Sequence, residues 1–190
     1  MSGGVDSTYA AFRLKEQGHT VEGAVLIMHE YTDMTAAKAA AESVGIPLTV
    51  IDARDRFDRC VIPNFISEYS NARTPNPCIV CNSDVKFRLL CDYAQENGFD
   101  AIATGHYAHI INVGDAESPR YAIKRADDDK KDQTYMLWRL SQDVLAMLLL
   151  PLGDMTKEQL RDQARAHGLS SADAPDSQEI CFIPDGDYAT

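Results

Sequence analysis

The chain has 190 residues, 45% of them hydrophobic, and a formal net charge of -11. That supports one core, or one with a small appendage, and excludes a fibre, a disordered chain and a general polyanion binder. No basic flank and apolar stretch open the chain, and the longest apolar run, Val144 to Leu150, is too short to span a bilayer. The expectation is a cytoplasmic protein without a membrane partner. Five cysteines in a reducing compartment are expected to be core fillers, metal ligands or reactive thiols, not a disulfide framework.

In chain order, Ser7 to Gln17 has helical periodicity and Gly18 as a stop. Val21 to Met28 reads as a buried strand, Thr35 to Val44 as an Ala-rich helix closed by Gly45, and Leu48 to Ile51 as a strand. Arg59 to Tyr69 predicts a helix broken at Pro63, followed by a loop from Asn71 to Pro77. Asp84 to Asn97 is amphipathic and stopped by Gly98, and Ala101 to Thr104 is a strand. Tyr107 to Val113 and Arg120 to Lys124 predict a hairpin. Gln133 to Leu140 fits either strand or helix, and Lys157 to Ala166 is a helix with Thr156 as N-cap. The alternation predicts an α/β fold, a parallel sheet with helices on both faces.

Ser2-Gly3-Gly4-Val5-Asp6-Ser7 opens directly into the first helical pattern. Adjacent glycines let backbone N–H groups approach an oxyanion, and a helix N-terminus adds orphan donors and the positive end of its dipole. Asp6 can orient this loop or hold Mg²⁺. No Lys follows, so this is not a Walker A loop. The string resembles the pyrophosphate loop of the N-type ATP pyrophosphatase superfamily, whose members adenylate a carbonyl oxygen and release pyrophosphate.

Cys78 and Cys81 lie in Thr74-Pro75-Asn76-Pro77-Cys78-Ile79-Val80-Cys81-Asn82, at a spacing that lets both sulfurs face one metal or cluster. Lys86 and Arg88 follow and could lower a thiol pKa. A third thiol, Cys181, sits in Ser177-Gln178-Glu179-Ile180-Cys181-Phe182-Ile183. Cys60 and Cys91 fall in apolar or helical patterns and read as core. His106 is either a satisfied loop histidine or a catalytic group, which geometry must decide.

The glycine loop, the TPNP string, Thr104-Gly105-His106-Tyr107, Lys131-Asp132-Gln133-Thr134-Tyr135 and Ile180-Cys181-Phe182-Ile183 occur in this order. Together they resemble the bacterial tRNA-specific 2-thiouridylases of the MnmA/TrmU type. The resemblance implies an adenine nucleotide alpha hydrolase-like, Rossmann-like domain over residues 1–190. It implies ATP contacts at Met1, Ser2, Gly3, Gly4, Val5, Asp6, Ser7, Leu26 and Gly105. It also implies tRNA contacts at Asn76, Pro77, Cys78, Lys131, Asp132 and Gln133, with the hairpin at about 107–125 as a tRNA-contacting insertion.

On the same resemblance Cys81 is the nucleophile and Cys181 carries a persulfide, with ATP and Mg²⁺ as cofactors. tRNA and a sulfur-donor protein, a persulfide carrier or a cysteine desulfurase, are the partners. Many members have Asp where this chain has Cys78. A CxxC here resembles thiolases that hold a 4Fe–4S cluster on three cysteines, which makes Cys78, Cys81 and Cys181 its candidate ligands. The family pattern also leads one to expect a strand before Met1, and a linker domain and β-barrel beyond residue 190.

Basic residues Arg120, Lys124, Arg125, Lys130, Lys131 and Arg139 cluster around the hairpin, mixed with Asp127, Asp128, Asp129 and Asp132. By charge alone that is a solvated surface, so the tRNA expectation rests on the resemblance. Two rivals stay open: an amidating synthetase of the same superfamily, and a non-catalytic RNA-binding descendant.

Overall fold

The computed structural model describes residues 1–176 and 180–183. Ser177, Gln178 and Glu179 of the third cysteine string lie outside the described residues.

Helix α1 is Val5–Glu16, two residues earlier than its periodicity suggests, so Asp6 and Ser7 sit in its first turn. Strand β1 (Gly23–Ile27) pairs in parallel with β2 (Leu48–Asp52), placing Leu26 opposite Ile51. Between them runs α2 (Met34–Val44), N-capped by Asp33 and ended by Gly45 in the left-handed conformation. Helix α3 (Arg54–Ser70) passes through Pro63 instead of breaking there, and it begins five residues earlier than expected. A mid-helix proline costs about 3 kcal/mol. Phe57 and Val61, one turn apart and 1% and 0% exposed, each return about 1.5–3 kcal/mol on burial, so the helix survives.

The expected loop-then-helix arrangement around the cysteines is also revised. Helix α4 (Pro77–Val80) starts with proline in its first turn, a six-residue π-helical segment follows at Cys81–Lys86, and α5 (Phe87–Glu96) continues it. Both cysteines of the CxxC are therefore helical. π-Helical turns are rare and frequently mark functional sites. On α5 the spacing of Phe87, Cys91 and Ala94 buries one face, which accounts for Cys91 as core.

Strand β3 (Ile102–Ala103) pairs in parallel with β6 (Leu148–Leu149), a strand hidden in the apolar run at 144–150. The hairpin is β4 (Ala108–Asn112) against β5 (Tyr121–Arg125), as its pattern predicts. The ambiguous stretch at 133–140 holds a 3₁₀ turn, Thr134–Met136, and α6 is Gln142–Met147. Helix α7 (Lys157–Ala166) has a full capping box between Thr156 and Gln159.

The parallel pairs and their crossover helices bear out the α/β class, with the ladders among the described residues divided into three two-stranded sheets. Three apolar clusters fill the interior. One joins α1, α2 and α7 around Tyr107 and Leu152. A second joins α5, β3, β4, α6 and β6. The third packs α3 against Val80, Cys81 and Val85, with Leu26, Met28, Cys60 and Phe182 on its margin. Among the described residues no helix is long and apolar enough to cross a membrane.

Candidate active site

The glycine loop is shaped by close backbone contact. Gly3 has φ +84°, and a Cβ there would lie 2.5 Å from the Ala36 side chain and 2.8 Å from its backbone. Only glycine meets both demands. Gly4 is the extended N-cap of α1 and has no side chain to cap with. Its carbonyl instead accepts from Ser7 Oγ at 3.1 Å and from Thr8 Oγ1 at 3.0 Å. Ser2 and Ser7 bring their hydroxyl oxygens to 3.2 Å of each other, and the Ser2 N–H donates to Ser7 Oγ at 3.2 Å. The result is a serine-lined concavity at a helix N-terminus, where orphan donors and the helix dipole favour an anion. The Met1 amine donates to the Ala24 carbonyl, fastening the loop to β1.

Asp6 orients this turn. Its Oδ1 accepts from Tyr107 Oη at 2.7 Å and from Lys157 Nζ at 2.7 Å, and its Oδ2 accepts from Lys157 Nζ at 2.8 Å. Both carboxylate oxygens are engaged within the protein, which is the loop-orienting arrangement. The Tyr107 phenol is held well above its usual range by burial and by Asp6, and stays a donor.

Gly105 joins the loop to the cysteines. A Cβ on it would lie 2.6 Å from the Asp6 backbone carbon and 2.8 Å from the Ser7 nitrogen, so the 104–107 segment lies directly on the first turn of α1. The next residue, His106, meets Thr104 Oγ1 through Nδ1 at 2.8 Å and Asn82 Nδ2 through Nε2 at 3.5 Å. Burial, and then Lys86, lower its pKa to about 3, so the ring is neutral at physiological pH and serves as a hydrogen-bonding partner. Asn82, 2% exposed, donates to the Met136 carbonyl at 3.2 Å and accepts from Lys86 Nζ at 2.9 Å. It directly follows Cys81. Loop, Gly105, His106, Asn82 and Cys81 thus form one run of neighbours.

Cys81 is buried, with its thiol 3.4 Å from Met28 Sδ at the end of β1. Burial pushes its pKa up to about 11, opposed by Lys86 and reinforced by Cys181 and Cys78. Cys78 and Cys181 are exposed residues, and the Cys181 thiol is raised by its own partial burial and by Cys78. The three sulfurs therefore share one electrostatic neighbourhood. Phe182, next to Cys181, packs edge-on to Phe57 and Phe65 at 5.4 and 5.3 Å and so anchors the third thiol beside α3. Among the described residues no three His, Cys, Asp or Glu side chains are set to hold a metal ion. The three thiols are neighbours but not arranged as a ligand set.

The other expected residues are placed as follows. Leu26 packs with the apolar cluster around Cys81. Asn76 is the exposed residue before α4, and Pro77 is buried. Asp132 is turned inward, accepting from the Ala126 N–H at 2.9 Å and from Thr134 Oγ1 at 2.7 Å. Gln133 exchanges bonds with Tyr107, through Oε1 to the Tyr107 N–H at 3.0 Å and through its own N–H to the Tyr107 carbonyl at 2.9 Å. These two residues shape the turn, while Lys131 reaches Asp176 at 3.1 Å. Sequence reasoning missed Met28, Asn82, Lys157 and Asp176. Asn82 and Asp176 lie in or beside the cysteine strings, whereas Met28 and Lys157 carry no local signal, because each acts through a distant partner.

The chain matches the family model described as "tRNA methyl transferase HUP domain" over residues 1–185. It is 46% identical over 203 residues to a protein of Carboxydothermus hydrogenoformans named tRNA-specific 2-thiouridylase MnmA, covering 99% of this chain and 55% of that protein. Proteins of the same name from Chloroflexus aurantiacus and Geobacter metallireducens are 48% and 44% identical, again over 99% of this chain and 55% of theirs. The chain thus spans about half the length of the curated relatives it matches. A glycine cradle at a helix start, leading through Gly105 to a helical CxxC, agrees with that match, and the chain belongs to the tRNA methyl transferase HUP domain family.

Proposed function

We propose that this chain is the catalytic domain of a tRNA-uridine 2-sulfurtransferase, using ATP to make 2-thiouridine at the wobble position of tRNA in the cytoplasm. The observation that carries this reading is the unbroken run from the glycine loop through Gly105, His106 and Asn82 to Cys81. It sets an anion cradle and a nucleophile on neighbouring walls of one site. The relatives named 2-thiouridylases support the choice of acceptor.

ATP enters as its Mg²⁺ chelate, with the polyphosphate on the N–H groups of the loop. The target uridine leaves its stack to reach the site, as base chemistry requires. The C2 oxygen attacks the α-phosphorus and pyrophosphate departs, leaving an O-adenylated base. A donor protein has meanwhile placed a sulfur on Cys181 as a persulfide. The Cys81 thiolate attacks the inner sulfur of Cys181, forming a Cys81–Cys181 disulfide and releasing hydrosulfide. Hydrosulfide attacks C2, AMP leaves, and a thiol reductant restores both cysteines. Lys86, the cation that opposes the rise in the Cys81 pKa, favours the thiolate. The two-thiol route needs only Cys81 and Cys181, whose electrostatic coupling puts them in one neighbourhood.

For RNA contact, Asn76 and Cys78 are exposed in the turn leading to Cys81, and Tyr135, Trp138 and Arg139, flanking Met136 whose carbonyl meets Asn82, offer exposed stacking faces and a cation. The test is Cys81→Ser in the full-length protein with ATP, tRNA and a persulfide donor. The expected loss of 2-thiouridine is about 10³-fold or more, with ATP binding retained. 2-Thiouridine formed at the wild-type rate overturns the role of Cys81, and a wild type that makes none overturns the thiolase reading and favours an amidating synthetase. Iron and sulfide in stoichiometric amounts after anaerobic purification overturn the two-thiol route.

A further inference from the structure

Lys157 meets the run from glycine loop to Cys81 only at Asp6, and it is one of the most confined cations described. It is the first residue of α7, its side chain is 12% exposed, and the Thr156 capping box fixes where that helix begins. Its ammonium group donates to both oxygens of Asp6, at 2.7 and 2.8 Å, and lies 2.8 Å from Asp176 Oδ1. Three N–H donors meet three carboxylate oxygens, so its donor capacity is filled.

The two carboxylates belong to different parts of the site. Asp6 is in the first turn of α1, inside the phosphate loop. Asp176 precedes Cys181 by five residues. Asp176 also receives Lys131 at 3.1 Å and Arg161 at 2.9 Å. Arg161, one turn along α7, holds the carbonyls of Ala172 and Ala174 at 2.9 Å each. Helix α7 thus grips the chain leading to the third thiol, and Lys157 is where that grip meets the loop.

We infer that Lys157 is a positioning residue that ties the phosphate-binding loop, through Asp6, to Asp176, five residues before Cys181. A polyphosphate on the loop would be repelled by a bare Asp6 carboxylate, and Lys157 with Tyr107 offsets that charge. The same ammonium group communicates the state of the loop to Asp176, because any shift of Asp6 must redistribute its three donors. The tie would match sulfur delivery to the presence of an activated acceptor. This inference rests on the reading of the loop as an ATP site.

The test compares wild type, Lys157→Met, Lys157→Arg and Asp176→Asn. ATP affinity is measured by calorimetry, and the iodoacetamide reaction of Cys181 is followed on its own peptide by mass spectrometry, with and without ATP·Mg²⁺. In wild type, ATP should slow Cys181 alkylation about fivefold or more, a typical coupling between sites. Lys157→Met should weaken ATP binding about tenfold and remove the ATP effect on Cys181, and Lys157→Arg should restore both in part. Asp176→Asn, which keeps shape and removes only charge, should bind ATP as wild type does but lose the effect on Cys181. It keeps the test decisive if the methionine variant fails to fold. An ATP effect on Cys181 that persists in Asp176→Asn, or that is absent from a wild type that binds ATP, overturns the tie alone. A wild type that binds no ATP overturns the nucleotide reading as well.

Discussion

The glycine loop and the cysteine helix are neighbours prepared for chemistry in opposite ways. The loop is fixed as it stands: Gly3 and Gly105 are wedged against other backbone, Asp6 is paired with Lys157 and Tyr107, and the start of α1 presents the positive end of its dipole. The cysteine region is restrained. Its central thiol is buried and protonated at neutral pH, with a pKa pushed up to about 11. An anion cradle works by being rigid beforehand, whereas a thiol that is always ionised would be oxidised or alkylated without its substrate. Burial holds Cys81 in its protonated, less nucleophilic form.

Breaking the rigid half should have the largest effect. Gly105→Ala forces a methyl group into the backbone of Asp6 and Ser7, with no flexible side chain to yield. We expect a loss of about 3 kcal/mol in stability or more, read by denaturant unfolding, together with loss of ATP binding. Normal stability and affinity in that variant would mean that the loop is looser than the contact implies.

Sharpening the dormant half comes next. Lys86→Met removes the one cation that opposes the rise of the Cys81 pKa. Alkylation of Cys81 at pH 8 should slow by up to about tenfold, since one pKa unit is a tenfold change in thiolate. Unchanged alkylation would assign activation to another group. The thiol also affects stability: its folded pKa of about 11 exceeds the ordinary 9.0, so the folded state holds its proton longer. Stability should fall as pH rises from about 9 to about 11, and Cys81→Ser should flatten that slope.

The joint between the halves has the opposite sign. His106 has a folded pKa of about 3 against an ordinary 6.5, so the unfolded state binds the proton first. The contribution is complete above about 6.5 and lost as pH falls toward 3. His106→Asn should reduce the acid slope of thermal unfolding in that window, and an unchanged slope would return acid sensitivity to the carboxylates.

The smallest effect lies outside both halves. Ala72, just past α3, has φ +56°, a region that glycine occupies freely. Ala72→Gly should change stability by less than about 1 kcal/mol, and in the stabilising direction if relief of strain exceeds the entropy of glycine. A shift in site activity would be unexpected.

Much of this comparison was legible beforehand. The glycine loop, the hairpin, most helices and the α/β class follow from periodicity and turn chemistry, because those signals are local. Pro63 misled because a single proline is a local signal, whereas the burial of Phe57 and Val61 that outweighs it is not. The helical setting of Cys78 and Cys81 was hidden by two prolines, one of which proved to be a helix start. β6 was concealed in a run whose apolar character suits strand and helix equally.

By itself the sequence determined which strings stand out: a Gly-Gly loop opening a helix, three thiols in recognisable strings, and a family pattern in one order. The tertiary structure decided how they are conditioned. Asp6 is claimed by Lys157 and Tyr107, His106 is kept neutral, and Cys81 is kept protonated, each by partners far away in the chain. Burial and opposing charge set these states, and both depend on which distant elements pack together, which no local pattern encodes.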